Sequence, residues 1–390
     1  MTRLIEITGK ALSGEWGTDD TNGNGIPVLR TTNFTNEGIV DYEVVVTRCI
    51  EKKNIAEKYL RKGDIIIEKS GGSDKQPVGR VVYFDGAENT YLFNNFTGVL
   101  RVKDQEKWFP KYIFYSLYRN YKKGGTRIYE NKTTGLHNLK VDDYISRYEI
   151  VKVSYQVQQD ICVVLDKIQR ILKKRERQIK QLDILIKSRF TEMFGDPIVN
   201  SLHWQEELIG DSNFVTKLAG FEYTQYIHYE KSGDVVMVKA QNVKNGKLNR
   251  KDLSYISNEV SNSLPRSQLA VGDVVMTYVG ANIGDVAVID DKYKYHLAPN
   301  VAKIRPNAEK YNSVYFMYML MFLNSYIVGN SADTAKAALG MERIRKLKIF
   351  APPMELQNQF VTFVHSIDKL KSHFLKLPVF PGLYVVKYTY

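Results

Sequence analysis

Between Val157 and Phe194 the chain runs without a glycine or a proline, and the stretch then stops on "GDP" at 195–197. Globular helices extend over about 8–20 residues, so an unbroken helix-compatible run of this length constrains everything built around it. At 1.5 Å per residue, a helix over 157–194 is a rod of roughly 57 Å. Gly195 suits the left-handed position just past a helix end, and Pro197 cannot continue a helix. A seam at alternating four- and three-residue steps passes through Ile161, Leu165, Ile168, Leu172, Arg175, Ile179, Leu182, Ile186, Arg189 and Met193. Apolar residues at this heptad spacing predict packing against a second helix. Arg175 and Arg189 interrupt the seam, either snorkelling from it or setting its register. The expected partner is "QNQFVTFVHSIDKLK" at 357–371, where Phe360, Val364, Ile367, Leu370 and Phe374 repeat the spacing. Gln158 and Ile168 align with Gln357 and Ile367 at one offset.

That echo belongs to a longer internal repeat. "YLRKGDIIIEKSGG" (59–72) matches "QLAVGDVVMTYVGA" (268–281): each places a Gly-Asp turn before a β-branched strand that enters a glycine-bearing loop. "PVGRVVYF" (77–84) matches "NIGDVAVI" (282–289), and "YLFNNFTGVLRV" (91–102) matches "YHLAPNVAKIRP" (295–306). Aromatic-rich helical segments follow at 108–121 and 312–326, then glycine-containing loops at 133–140 and 337–349. The order is colinear and the offset stays near 200. The chain therefore reads as module, rod, module, shorter rod, each module mixing short strands with one or two helices in an α+β arrangement. The tail "LPVFPGLYVVKYTY" (377–390), with two prolines, is foreign to a long helix.

Composition narrows the function. Lys+Arg 55 against Asp+Glu 43 gives a formal charge of +12 and a pI near 9.3, which points to a polyanionic partner. The excess is clustered at 101–140, at 166–189 and in "KAQNVKNGKLNRK" (239–251). Each cluster alone could be a solvated face; three together favour nucleic acid. Two lone cysteines and six scattered histidines argue against a disulfide framework or a zinc site and fit a reducing cytoplasm. No apolar run is long enough for a membrane span, and the N-terminus lacks the pattern of a secretory signal. There is no phosphate-binding glycine loop. "APPM" (351–354) lacks the character of an amino-methyltransferase motif, and "DIIIEK" (64–69) resembles a nuclease carboxylate cluster only superficially.

The phrase "LDKIQRILKKRERQIKQLDILIKSRFTEMFGDP", the colinear modules and the C-terminal echo resemble the specificity (S) subunits of type I restriction–modification systems, over residues 1 to about 375. The resemblance implies two similar target-recognition domains, at 1–150 and 196–350, each reading half of a bipartite DNA sequence. Long helices separate them, at 151–195 and, shortened, at 351–377, and pair as an antiparallel coiled coil through Ile161, Leu165, Ile168, Leu172, Ile179, Leu182, Ile186, Met193, Phe360, Val364 and Ile367. It implies double-stranded DNA as ligand and two methyltransferase (M) subunits plus restriction (R) subunits as partners, with no membrane. It also implies no catalytic site or cofactor on this chain: S-adenosylmethionine, ATP and Mg belong to the partners. The atypical tail, 378–390, leaves open an S-like product that no longer assembles. A catalytic DNA methyltransferase or nuclease is the remaining alternative.

Contact residues vary among such domains, so they are chosen by chemistry. Base reading needs polar side chains on loops held by a rigid scaffold. In the first module these are Ser70, Ser73, Lys75 and Gln76, with Lys122, Lys123, Arg127 and Asn131. In the second they are Lys239, Gln241, Asn242 and Lys244, with Tyr278 and Asn282. Tyr91 and Tyr295 read as half-buried packing.

Overall fold

The computed structural model describes residues 1–52, 54–133, 136–329 and 338–376. The tail at 377–390 and parts of the loops at 133–140 and 337–349 lie outside these residues. The chain divides into two compact units, Met1–Lys174 and Arg175–Leu377. Among the described residues no helix is long and apolar enough to cross a membrane.

The two units share one sheet with the same strand order. In the first, an antiparallel sheet runs Leu12–Ser13, Thr97–Leu100, Ile65–Glu68, Val81–Tyr83; in the second, Phe214–Lys217, Val301–Arg305, Val274–Thr277, Val286–Val288. A second sheet in each unit has one parallel pair, Ile26–Leu29 with Leu92–Phe93 and Val235–Val238 with Lys294–Leu297. The runs "IIIE" and "VVMT" are continuous rather than alternating because both faces of these strands are covered. Ile65 and Ile67 enter one core and Ile66 another, as Val274 and Met276 part from Val275.

The Gly-Asp turns explain themselves. Gly63 (φ +96°) and Gly272 (φ +87°) occupy the left-handed region that lets the chain reverse before each strand. The following aspartates then accept from the backbone N–H of Arg61 and Ala270, both at 2.8 Å. A guanidinium forks onto each carboxylate, Arg101 onto Asp64 at 2.8 and 2.7 Å and Arg305 onto Asp273 at 2.6 and 2.8 Å. Both carboxylates are thereby committed to holding a turn. Each unit is closed by its ends, Thr2–Arg3 pairing with Glu149–Ile150 and Glu206–Leu208 with Lys348–Phe350.

Helix α1 (Pro110–Lys122) starts with proline at its first turn, where no N–H is needed, and packs on the first unit's sheet. Helix α2 is the rod, Tyr155–Phe194, two residues longer at its start than the sequence predicts. It ends as expected: Gly195 has φ +81° and donates its N–H to the Thr191 carbonyl at 2.9 Å. The division between the units falls inside α2, so each unit holds half of it. In the first unit, Lys111 Nζ and Tyr115 Oη of α1 both donate to Asp166, at 2.8 and 2.5 Å. The second unit's helices include α3 (Gly220–Tyr226), α4 (Ser313–Phe322) and α5 (Met354–Lys376).

One device attaches each helix to its module. Gln158 is buried; its Oε1 accepts from Phe109 N–H at 2.9 Å, and its Nε2 donates to the carbonyls of Lys107 and Val153 at 3.0 and 3.1 Å. Gln357 is fully buried and repeats this with Asn312 N–H (2.9 Å), Lys310 O (2.8 Å) and Pro352 O (2.7 Å).

Within the second unit α5 runs antiparallel to the end of α2. The Phe360 ring lies 5.4 and 5.6 Å from Phe190 and Phe194, while Lys371, further along α5, reaches Asp183, further back on α2, at 2.6 Å. Ile186, Phe360, Val364 and Ile367 are buried in one cluster, with Leu182 and Met193 packed beside them. Burying a side chain such as Phe190, fully enclosed here, contributes about 1.5–3 kcal/mol.

The heptad seam needs correction. Ile161 is 37% exposed, whereas its neighbour Cys162 is buried. Phe190 takes the buried position beside the half-buried Arg189, which bonds Glu192 at 2.9 Å; on α5, Leu370 is exposed and Lys371 buried. Leu165 packs against the first unit's core and Ile168 is buried; Leu172, Arg175 and Ile179 are half-buried. The buried line steps 158–162–165 at one end and 186–190–194 at the other. Both ends are displaced from the seam by one residue in the same sense, Cys162 for Ile161 and Phe190 for Arg189, because each half of the helix turns toward the core of its own unit.

Candidate nucleic-acid interface

In the first unit the chain leaves strand Ile65–Glu68 and enters Ser70–Gly72, which pairs with Leu136–Leu139 of a hairpin whose other strand is Glu130–Thr133. This brings segments distant in sequence to one edge. Ser70 Oγ hydrogen-bonds Asn138 Oδ1. Ser73 Oγ accepts from Gln76 N–H at 3.1 Å, and Gln76 Nε2 donates to Asn36 Oδ1 and Tyr121 Oη at 3.3 and 3.4 Å. Arg127 donates to the Asp74 carbonyl at 3.2 Å, tying the turn after α1 to the same loop. Lys75, Lys123 and Asn131 are exposed, and Lys122 stands 5.4 Å over the Tyr118 ring.

Behind this edge lies a buried polar layer. Glu68 pairs with Arg80 at 3.2 Å; burial pushes its carboxyl up, and the guanidinium opposes that shift. Arg80 also donates to the carbonyls of Phe34 and Thr31, both at 2.9 Å, which fixes the turn at 30–34. His137 Nδ1 lies 3.2 Å from Glu130, whose other oxygen accepts from Val78 N–H at 2.9 Å. Asp64 and Glu68 of "DIIIEK" are thus each paired with an arginine.

In the second unit the selected residues fall into two groups. Tyr278, Asn282 and Lys244 lie near one another: the Asn282 carbonyl accepts from Asp285 N–H at 3.1 Å, and Lys244 acts on the Asp285 carboxyl, which burial pushes up. Tyr278 is half-buried beneath Lys217, 5.5 Å from its ring, and burial pushes its phenol up. The other group follows strand Val235–Val238. There Gln241 is exposed, while Lys239 Nζ donates to the Asp252 carbonyl and Ser254 Oγ at 3.0 and 2.9 Å.

Asn242 does not face solvent. It is 2% exposed, its Oδ1 accepts from Lys239 N–H at 3.1 Å, and its Nδ2 donates to the carbonyls of Asn249 and Lys251 at 2.9 and 3.2 Å. With those bonds its amide is occupied by backbone. Asn33 does the same in the first unit, with Arg30 N–H and the carbonyls of Asp41 and Val44. The pair "RTTN" and "KAQN" was available in the sequence as a further repeat. Tyr295 is buried and donates to Asp290 at 2.7 Å, and Tyr91 packs on Tyr42 and Phe84, as packing residues should.

Two copies of one module, each presenting a polar loop edge and each holding half of a single helix, make the chain an internally duplicated, two-domain protein. The model of the type I restriction modification DNA specificity domain matches residues 4–181 and again 216–376, and the chain belongs to that family. The chain is similar to the putative type I restriction enzyme MjaX specificity subunit of Methanocaldococcus jannaschii, 22% identical over 142 residues. It is similar also to the type I restriction enzyme EcoBI specificity subunit of Escherichia coli, 23% identical over 138 residues. These stretches cover 34% of this chain in each case, and only 33% and 28% of the two relatives. The fold is like that of the type I restriction–modification S subunit from M. genitalium, with TM-score 0.53 and 14% identity over 96% of this chain and 90% of that one.

Proposed function

We propose that this chain is a sequence-recognition subunit that binds a bipartite duplex DNA target, one half per module. It would direct two methyltransferase subunits and the restriction subunits to that target in the cytoplasm. The observation that carries this reading is the duplication itself: Gly-Asp turn, forked arginine, buried glutamine and buried asparagine recur bond for bond in both units. Such a repeat suits two similar half-sites on one extended polyanion, which the net charge of +12 favours. The exposed polar residues at the two edges supply hydrogen-bonding groups for base edges, and the lysines supply phosphate contacts. Chemistry is assigned to the partners, which would hold S-adenosylmethionine, ATP and Mg. The pairing of Asp64 and Glu68 with arginines supports that division.

The test exchanges residues 1–150 for the first module of another S subunit and sequences the methylated motif in cells that also express the M subunit. One half of the motif should change, while the other half and the spacer, to within about a base pair, persist because the helix is retained. A rewritten second half, or an unchanged motif, would exclude one half-site per module. A labelled-methyl transfer assay on the chain alone should show no activity.

A further inference from the structure

Helix α3 stands between the two groups of second-unit residues. Its inner side is fixed: Leu218 and Ile227 at its ends are buried in the core, and Tyr223 packs against that core. Glu222 turns back, accepting from Ala219 N–H at 2.9 Å and pairing with Arg266 at 3.2 Å. The solvent side is therefore uncharged and consists of Phe221 (67% exposed), Thr224, Gln225 and Tyr226 (41% exposed).

Positive charge flanks this face. Lys217, three residues before α3, lies 5.5 Å over the ring of Tyr278. Lys239 lies 5.9 Å over the ring of Tyr229, which is 6.0 Å from Tyr223 of α3. An aromatic and amide surface with a cationic rim has the chemistry of a duplex groove reader. Amides bond base edges, aromatic side chains contact thymine methyls or wedge between base steps, and lysines meet phosphates. The corresponding stretch of the first unit is built differently, with strand Thr18–Asp19 and Trp16 lying 4.3 Å beneath the Arg48 guanidinium.

We infer that α3 is the base-reading element of the second module, with Phe221 and Gln225 at base edges and Lys217 on the phosphate backbone. This rests on the DNA-recognition reading above and adds which surface reads the second half-site. The first module, which has strand Thr18–Asp19 in that place, would read its half-site by its loop edge.

The test uses the full chain assembled with its cognate M subunits and duplexes carrying the methylated motif, each half altered in turn. Combined Phe221→Ala and Gln225→Ala should reduce discrimination against an altered second half by about tenfold or more. Discrimination at the first half should be unchanged, which reports in the same molecule that the protein is folded. Lys217→Ala should weaken binding to every duplex and lower the salt slope by about one. Full discrimination at both halves in the double variant would overturn the inference while leaving the DNA-recognition reading intact. Failure of the double variant to bind the M subunits would overturn it too, marking the face as a protein contact. A wild-type complex indifferent to both halves would remove the reading and the inference together.

Discussion

Replacing Gln357 by leucine tests whether one buried amide holds α5 to its module. The substitution roughly preserves volume but strands three backbone groups, the N–H of Asn312 and the carbonyls of Lys310 and Pro352. An unsatisfied buried group costs about 1–3 kcal/mol. The surroundings of two of the three bonds are only partly buried, so water relieves part of the loss, and about 3–5 kcal/mol remains. At about 1.4 kcal/mol per factor of ten, opening of the second unit should become roughly a hundredfold or more easier. Native-state hydrogen exchange reads this directly, in peptides covering 307–323 and 350–361, with first-unit peptides as an internal control. Gln158→Leu should produce the mirror result, with faster exchange confined to the first unit. An increase below about fivefold, or an equal increase in both units, would refute the reasoning.

Three further outcomes are expected. Asn242→Ala should lower stability by about 2–3 kcal/mol in urea unfolding and leave base preference at the second half-site unaltered, because its amide bonds backbone. Glu207 is held below the usual carboxylate range: burial opposes ionisation, but hydrogen bonds from Lys310, Ser212 and Tyr311 outweigh it. A lowered folded-state pKa gives stability that is present above the unfolded value of about 4.3 and lost as pH falls through the folded one. Glu207→Gln should therefore flatten the loss of melting temperature below about pH 4. Neutralising Lys122 and Lys123 together should weaken binding to all sequences and reduce the salt slope by about one for each phosphate no longer neutralised, measured by titration at several salt concentrations.

Local chemistry made the rod legible, since a run free of glycine and proline that ends on Gly195 and Pro197 has one good conformation. The duplication was legible too, because both modules keep the Gly-Asp turns and β-branched strands in order. Even the alignment of Gln158 with Gln357 is visible in the residues, though not what those amides bind. Which face of the rod is buried depended on what it meets. A heptad rule assumes one long partner, and α2 packs on the core of each module as well as on α5, so Cys162 and Phe190 displace Ile161 and Arg189. Clustered charge points elsewhere and passes over "GFEYTQY", of whose three aromatic residues the fold keeps Tyr223 against the core and turns Phe221 and Tyr226 outward. A polar side chain on a basic loop singles out Asn242, whereas the turn at 239–242 consumes that amide internally. Periodicity and turn chemistry are properties of neighbours along the chain; exposure is set by what the fold packs against each residue, and only the folded chain decides it.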